Sequence, residues 1–397
     1  MEDSATASVN KPRRLRFFLI AAILAASAGA VWVFWQSRLA QQLDREKAMI
    51  EARGGHLYFA DEIGETGELL EQPAQRSYFS YLSRTPLNIN LYKVSKVREC
   101  LDLAATYHGL WQIDLSYSDV TDLDVKVLAG MQELRHLLIN DTAVGDELLA
   151  AVSQLPNLET LDLTRTKITS AGLAKWKPPA SLKTLMLIEC DISKGALSSL
   201  KNHPKLETLR LCDTKTDSQC LLELGTINTL DELDLSGTLV DDACLPALRE
   251  FPKVLDLSVA DTKFTEEGVW ELAKLKMKVK RLDLSRLPIE DRAVMALSNG
   301  KALERLVLSG TTITDDMLYY LFNKRVPLEL AIDNTPVTAE GVVRLVYQTR
   351  LFRLEVSANL LSAQDREEIT KRRKELELVE VPRAPEQAPQ QQSNSAK

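Results

Sequence analysis

Between residues 110 and 361 the apolar positions recur in one frame. In the unit Leu158-Glu-Thr-Leu161-Asp-Leu163-Thr-Arg-Thr166-Lys-Ile168, leucines hold the first, fourth and sixth places. The frame returns at Leu182, Leu206 and Leu230, each 24 residues on. It runs back to Leu134 and Leu110 and forward to Val254. There it slips by one residue to Val279, then resumes at Leu303, Pro327 and Leu351. Self-similarity at a fixed period of this size marks a solenoid, in which stacked units bury one continuous core. Leu158, Leu161 and Leu163 point inward from a short strand and its lead-in. Leu173 and residue 176, three apart, share one face of a helix. Their counterparts include Leu197 and Leu200, Leu221 and Leu224, Leu245 and Leu248, and Val342 and Leu345. Each unit is therefore predicted to be strand, turn and helix.

One polar position recurs inside this apolar frame. It holds Thr142, Thr166, Cys190, Thr214, Thr238, Thr262, Thr311 and Thr335, with Ser118 before them. A hydroxyl donates and accepts at once. In a tight turn it is predicted to satisfy buried backbone groups of adjacent coils, which are costly when left alone. Cys190 in this series is read as a small buried hydrophobe. After the turn come Thr121-Asp122, Thr169-Ser170, Asp241-Asp242 and Thr314-Asp315-Asp316, residue types that begin helices. Leu287 and Asn359 depart from the threonine position, and Pro327 departs from a frame leucine.

The pattern Leu-x-x-Leu-x-Leu-x-x-Thr-x-Ile-Thr-Asp resembles the leucine-rich repeat family, in the form with Thr or Cys where many members have Asn. It covers residues 110 to about 365. The resemblance implies an α/β solenoid, a horseshoe with a concave parallel sheet and convex helices, and protein binding as the commonest role. The segments before the repeats are similar, more loosely, to single-pass bacterial proteins of this kind.

The flanks divide readily. Residues 1–16 form a basic tail with Lys11, Arg13, Arg14 and Arg16 clustered at its end. Residues 17–35, FFLIAAILAASAGAVWVFW, hold no charge across 19 positions. As a helix they span roughly 28 Å at ~1.5 Å per residue, close to the ~30 Å hydrocarbon core. They are read as an uncleaved transmembrane signal anchor. The small-x-small sites Ala26-Ser27-Ala28 and Ala28-Gly29-Ala30 are the rival, cleavable reading. The basic residues before the segment place the N-terminus in the cytoplasm and the repeats outside it. Residues 36–55 are read as a helical stalk ending at Gly54-Gly55, and 56–109 as an N-terminal cap over the open apolar end. Repeats fill 110–361, a C-terminal cap 362–381, and a disordered tail 382–397.

The net charge of −7 argues against nucleic acid, which needs a basic footprint. The five cysteines match neither a CxxC pair nor a disulfide framework. Four scattered histidines leave little for a metal site or a triad, and no nucleotide, metalloprotease or hydrolase motif is present. The chain reads as a non-enzyme with no cofactor. On the strand face that should meet solvent, Asp recurs as an ordinary solvated charge, as in Asp114, Asp234 and Asp283. Leu138, Met186 and Ile188 place apolar side chains where other units place Asp, Thr or Ser. Arg210 lies one coil beyond Met186, and His136 precedes Leu138. These five are the candidate contacts for a protein partner. Arg281, Arg286, Arg305 and Arg353 among acidic neighbours read as a solvated mixed-charge face. A glycan or envelope-polymer binder is the second reading, opposed by the lack of aromatic residues in the three strand columns read from the repeats. A cytoplasmic adaptor with reversed topology is the third.

Overall fold

The computed structural model describes residues 11–59, 86–275, 277–298, 303–321, 329–349 and 351–382, with the backbone alone at 11–30 and 318. The chain divides into two compact units, one ending at Ser118 and the other beginning at Asp119.

In the first unit, helix α1 (Lys11–Glu51) takes in residues 17–35. The side chains before residue 31 lie outside the described residues. Among the described residues no helix is long and apolar enough to cross a membrane. The part read as a stalk buries Ala40, Leu43 and Ile50, because these recur along one face of the helix. Its Glu46 accepts a hydrogen bond from Tyr107 Oη at 3.0 Å. Burial and this carboxylate together push the Tyr107 phenol upward. The helix stops where Gly54 turns at φ +87° and Gly55 N–H closes on Ile50 O. Strand β1 (His56–Phe59) runs antiparallel to β2 (Pro86–Asn90), pairing Leu57 with Ile89. Helix α2 (Val97–Ala104) follows, then β3 (Gln112–Asp114), parallel to β2.

The second unit is a parallel ladder. Its strands are β4 (His136–Leu138), β5 (Thr160–Asp162), β6 (Thr184–Met186), β7 (Thr208–Arg210), β8 (Glu232–Asp234), β9 (Asp256–Ser258), β10 (Arg281–Asp283), β11 (Arg305–Val307), β12 (Glu329–Ala331), β13 (Arg353–Ser357) and β14 (Glu377–Val381). Each pairs in parallel with the next. The register step is 24 residues, except from β9 to β10, where Leu257 meets Leu282 and the step is 25. The slip seen in the sequence is thus absorbed without breaking the ladder. Leu134, Leu158, Leu182, Leu206, Leu230 and Val254 are fully buried, as are Leu161, Leu185, Leu209 and Leu233.

The recurring threonines do not bridge coils as expected. Each closes its own turn. Thr166 Oγ1 donates to Leu163 O at 2.7 Å, and Thr142, Thr214, Thr238, Thr262, Thr311 and Thr335 donate likewise to the carbonyl three residues back. The cause is the residue before each threonine. Asp141, Arg165, Asp213, Gly237, Asp261, Gly310 and Asn334 all stand at positive φ, which folds the chain back under that carbonyl. Cys190 is the exception. Its Sγ donates to Leu163 O of the preceding coil at 3.0 Å, and burial pushes its thiol up. In the β13 coil the turn moves one residue along. Asn359 takes the left-handed position at φ +64°, and Leu360 N–H bonds Ser357 O.

Further side-chain bridges between coils lie at the helix starts. Asp146 accepts Thr169 N–H at 2.8 Å and Thr169 Oγ1 at 2.7 Å, 23 residues on. Asp242 holds Thr265, Asp291 holds Thr314 and Asp315 holds Thr338 in the same two-point grip. Three of these threonines cap a helix through the glycine that follows: Thr169 accepts Gly172 N–H, Thr265 accepts Gly268 N–H and Thr338 accepts Gly341 N–H. One coil's acidic residue thus fixes the start of the next coil's helix, a charge-assisted contact.

Beyond residue 361 the stack continues through helix α3 (Ala363–Arg372), which opens with a capping box between Ser362 and Asp365. Arg366, polar where the frame is apolar, reaches Glu380 of β14 at 2.6 Å. Strand β14 itself was not visible in the leucine frame, because Glu375 stands where the next frame residue falls.

Candidate functional site on the open sheet face

Every three-residue strand from β4 to β9 buries its middle residue and leaves its outer two half-exposed. Alternation across a pleat produces this pattern, and the outer residues form columns on one face. The first column runs His136, Thr160, Thr184, Thr208, Glu232, Asp256, Arg281, Arg305, Glu329 and Arg353. The second runs Leu138, Asp162, Met186, Arg210, Asp234, Ser258, Asp283, Val307, Ala331 and Glu355.

The face changes character at β7. From β4 to β6 the first column is uncharged. His136 Nδ1 meets Thr160 Oγ1 at 3.0 Å, and burial lowers the imidazole's affinity for a proton. Met186 sits directly beside Arg210, with Ile188 two residues past Met186 in the same coil. Leu138 is two strands from Met186, with Asp162 between them. The structure therefore brings Met186, Ile188 and Arg210 together and sets His136 and Leu138 apart. Arg210 leans the other way, its Nε donating to Glu232 at 2.6 Å. This carboxylate holds the guanidinium still more firmly protonated.

From β8 onward the face is a lattice of ion pairs. Arg281 pairs with Asp256 at 2.7 Å, Arg305 with Glu329 at 2.9 Å, and Arg353 with both Glu355 and Glu377 at 2.9 Å. Arg286, at the turn beyond β10, pairs with Asp261 at 3.4 Å. Arg281 and Arg305 lean in opposite directions. Both line a depression of about 430 Å³ that reaches across β8 and β9 and includes Asp234, Ser258 and Asp283. The recurring aspartates also have local work. Asp162, Asp234 and Asp283 each accept the backbone N–H two residues on, at 2.9 to 3.0 Å. They hold the exit of the strand as well as its solvation. Sequence reasoning missed this role and the inter-coil grip of Asp146, Asp242, Asp291 and Asp315. A signal for the grip was present in Thr169-x-x-Gly172, Thr265-x-x-Gly268 and Thr338-x-x-Gly341, each 23 residues after an aspartate. Among the described residues, no group of three His, Cys, Asp or Glu side chains is placed to hold a metal ion.

Residues 154–175 match the family described as Leucine Rich repeat. No curated protein matches the sequence. Among solved structures, an internalin (inlF) from Listeria monocytogenes str. 4b F2365 is similar at 17% identity and a TM-score of 0.41, over 65% of this chain and 86% of that one. The mouse RP105/MD-1 complex is similar at 16% identity and a TM-score of 0.48, over 60% of this chain and 46% of that one. The matched stretch 154–175 is one coil of the ladder, and its buried leucine frame and strand-turn-helix order recur along the stack, similar to the leucine-rich repeat family.

Proposed function

We propose that the chain is a membrane-tethered, non-catalytic scaffold whose open sheet face docks a protein partner. The observation that carries the docking reading is the cluster of Met186, Ile188 and Arg210, where two apolar side chains and an arginine sit together beside uncharged threonines. Large apolar and arginine side chains dominate contact energies at interfaces. The tether rests on the uncharged run at 17–35 with Lys11, Arg13, Arg14 and Arg16 before it. That charge order puts the repeats outside the cytoplasm. The test identifies the partner by in-cell photo-crosslinking from position 186 and then measures its capture by chains without the crosslinker. Met186→Asp with Arg210→Glu is expected to abolish capture while thermal unfolding stays nearly unchanged, since surface changes away from packing stay within about 0.5 kcal/mol. Capture that survives the double substitution rejects this face. Reporters fused at residue 56 test the topology, and cytoplasmic activity there rejects it.

A further inference from the structure

The sheet of the first unit presents a face of different chemistry. Its outward positions are Asn88 and Asn90 from β2 and Gln112 and Asp114 from β3, with Asn88 in register with Gln112 and Asn90 with Asp114, and Tyr92 just past the end of β2. No aliphatic side chain stands among them. Tyr92 and Tyr117 remain 40% and 42% exposed, and their rings meet edge to face with centroids 5.3 Å apart. In later coils the Tyr92 position holds Asn140 and Thr164, so this aromatic pair departs from the repeat's own habit. Lys93 brings its ammonium to 4.9 Å from one ring centroid and 5.5 Å from the other.

The polar groups beside the rings are planar amides and a carboxylate. Asn90 Oδ1 accepts Tyr92 N–H at 2.9 Å, and Asp114 Oδ1 accepts Ser116 N–H at 2.9 Å. These bonds fix both groups and leave the rest of each facing its neighbour, where Asn90 Nδ2 lies 3.4 Å from Asp114 Oδ2. Asn88 Oδ1 is buried and has no donor. An amide carries one acceptor and two donors in one plane, and a half-turn about its last bond presents that oxygen outward.

We propose that this face binds a saccharide. A sugar ring offers two surfaces at once. Its C–H face packs on an aromatic ring, as Tyr92 and Tyr117 provide. Its neighbouring hydroxyls each donate and accept, which is what side-by-side amides and a carboxylate satisfy. The Asn88 amide adds one further acceptor and two donors in a plane beside them. An apolar peptide anchor finds no aliphatic counterpart on this face. Lys93 holds a cation over both rings, which favours a saccharide carrying a carboxylate.

The probe is a printed array of neutral and uronic-acid oligosaccharides, exposed to the full chain in a sugar-free detergent. The expected result is retention on a subset, strongest for the acid-bearing sugars. Titration of the retained sugar should weaken by about tenfold or more in Tyr92→Ala and in Gln112→Ala, with Tyr92→Phe restoring most of the loss. Lys93→Ala should reduce retention of the acidic sugars alone. Met186→Asp with Arg210→Glu should leave all of it unchanged, which separates this face from the protein-docking face. No retained saccharide, or retention indifferent to both Tyr92→Ala and Gln112→Ala, overturns the proposal. Unchanged circular dichroism of the two alanine variants shows that a loss is not unfolding.

Discussion

Gly341 is the third residue of the helix Ala339–Gln348 and its φ is not positive, so its backbone does not ask for glycine. In a helix, alanine is ordinarily better by about 0.5–1 kcal/mol. The reason for glycine lies one coil back. A Cβ at 341 would stand 2.0 Å from Asp315 Oδ1, 2.5 Å from its Cγ and 2.9 Å from Oδ2. The carboxylate must retreat by more than 1 Å to reach ordinary contact, about 3.2 Å or more for carbon against oxygen. That retreat breaks its bonds from Thr338 N–H at 2.8 Å and Thr338 Oγ1 at 2.6 Å. Bonds to a charged group contribute ~1.5–3 kcal/mol each when dry. Asp315 is partly exposed and Thr338 is exposed, so the pair together is discounted to about 2 kcal/mol. Gly341→Ala should then destabilise by about 1–1.5 kcal/mol, against the helix preference. Asp315→Ala alone should cost about 2 kcal/mol. In the Asp315→Ala background, Gly341→Ala should change sign and stabilise by about 0.5–1 kcal/mol, giving a coupling of about 2 kcal/mol. Urea unfolding of residues 37–382, followed by circular dichroism at constant slope, measures all four corners of the cycle. A rise in midpoint for Gly341→Ala in the parent, or additivity across the cycle, would refute the carboxylate grip.

Two further outcomes follow from the same geometry. Thr214→Val should destabilise by ~1–3 kcal/mol, because Thr214 is buried and its Oγ1 serves both Leu211 O and Thr216 Oγ1 at 2.7 and 2.8 Å. Thr208→Val, on the open face, should change the urea midpoint far less, and equal effects would mean that the turn hydroxyl contributes nothing particular. His203 is buried with Nε2 on Pro179 O and Nδ1 facing Lys205 N–H, a neutral tautomer, and burial lowers its proton affinity. The unfolded chain therefore takes up a proton near pH 6.5 that the folded chain refuses. Stability should fall as pH drops below that value and level off at the folded pKa. His136 adds to this slope in the same sense. His203→Gln should unfold with a shallower dependence between pH 7 and 5, and an unchanged slope would exclude His203 as a source.

The sequence by itself determined the coil. The leucine frame, its slip between Val254 and Val279, the helix starts at Thr169 and Asp241 and the outward columns were all legible. Burial imposes one period on every unit, and repetition amplifies that signal until one frame explains more than two hundred residues. The tertiary structure alone decided which groups meet. Whether Thr166 bonds its own coil or the next depends on the sign of φ at Arg165, and Arg165, Glu189 and Arg286 carry no composition mark of a left-handed turn. That Asp146 grips Thr169, and that Asp162 separates Leu138 from Met186, depends on stacking register across 23 or 24 residues. Arg210 could lean toward Met186 or toward Glu232 from the same backbone, and the nearer carboxylate determines the direction. Hydrophobic burial is non-directional and summed over many residues, so pattern records it. Hydrogen bonds and ion pairs are short-ranged and directional, so they are fixed only once the coils are stacked.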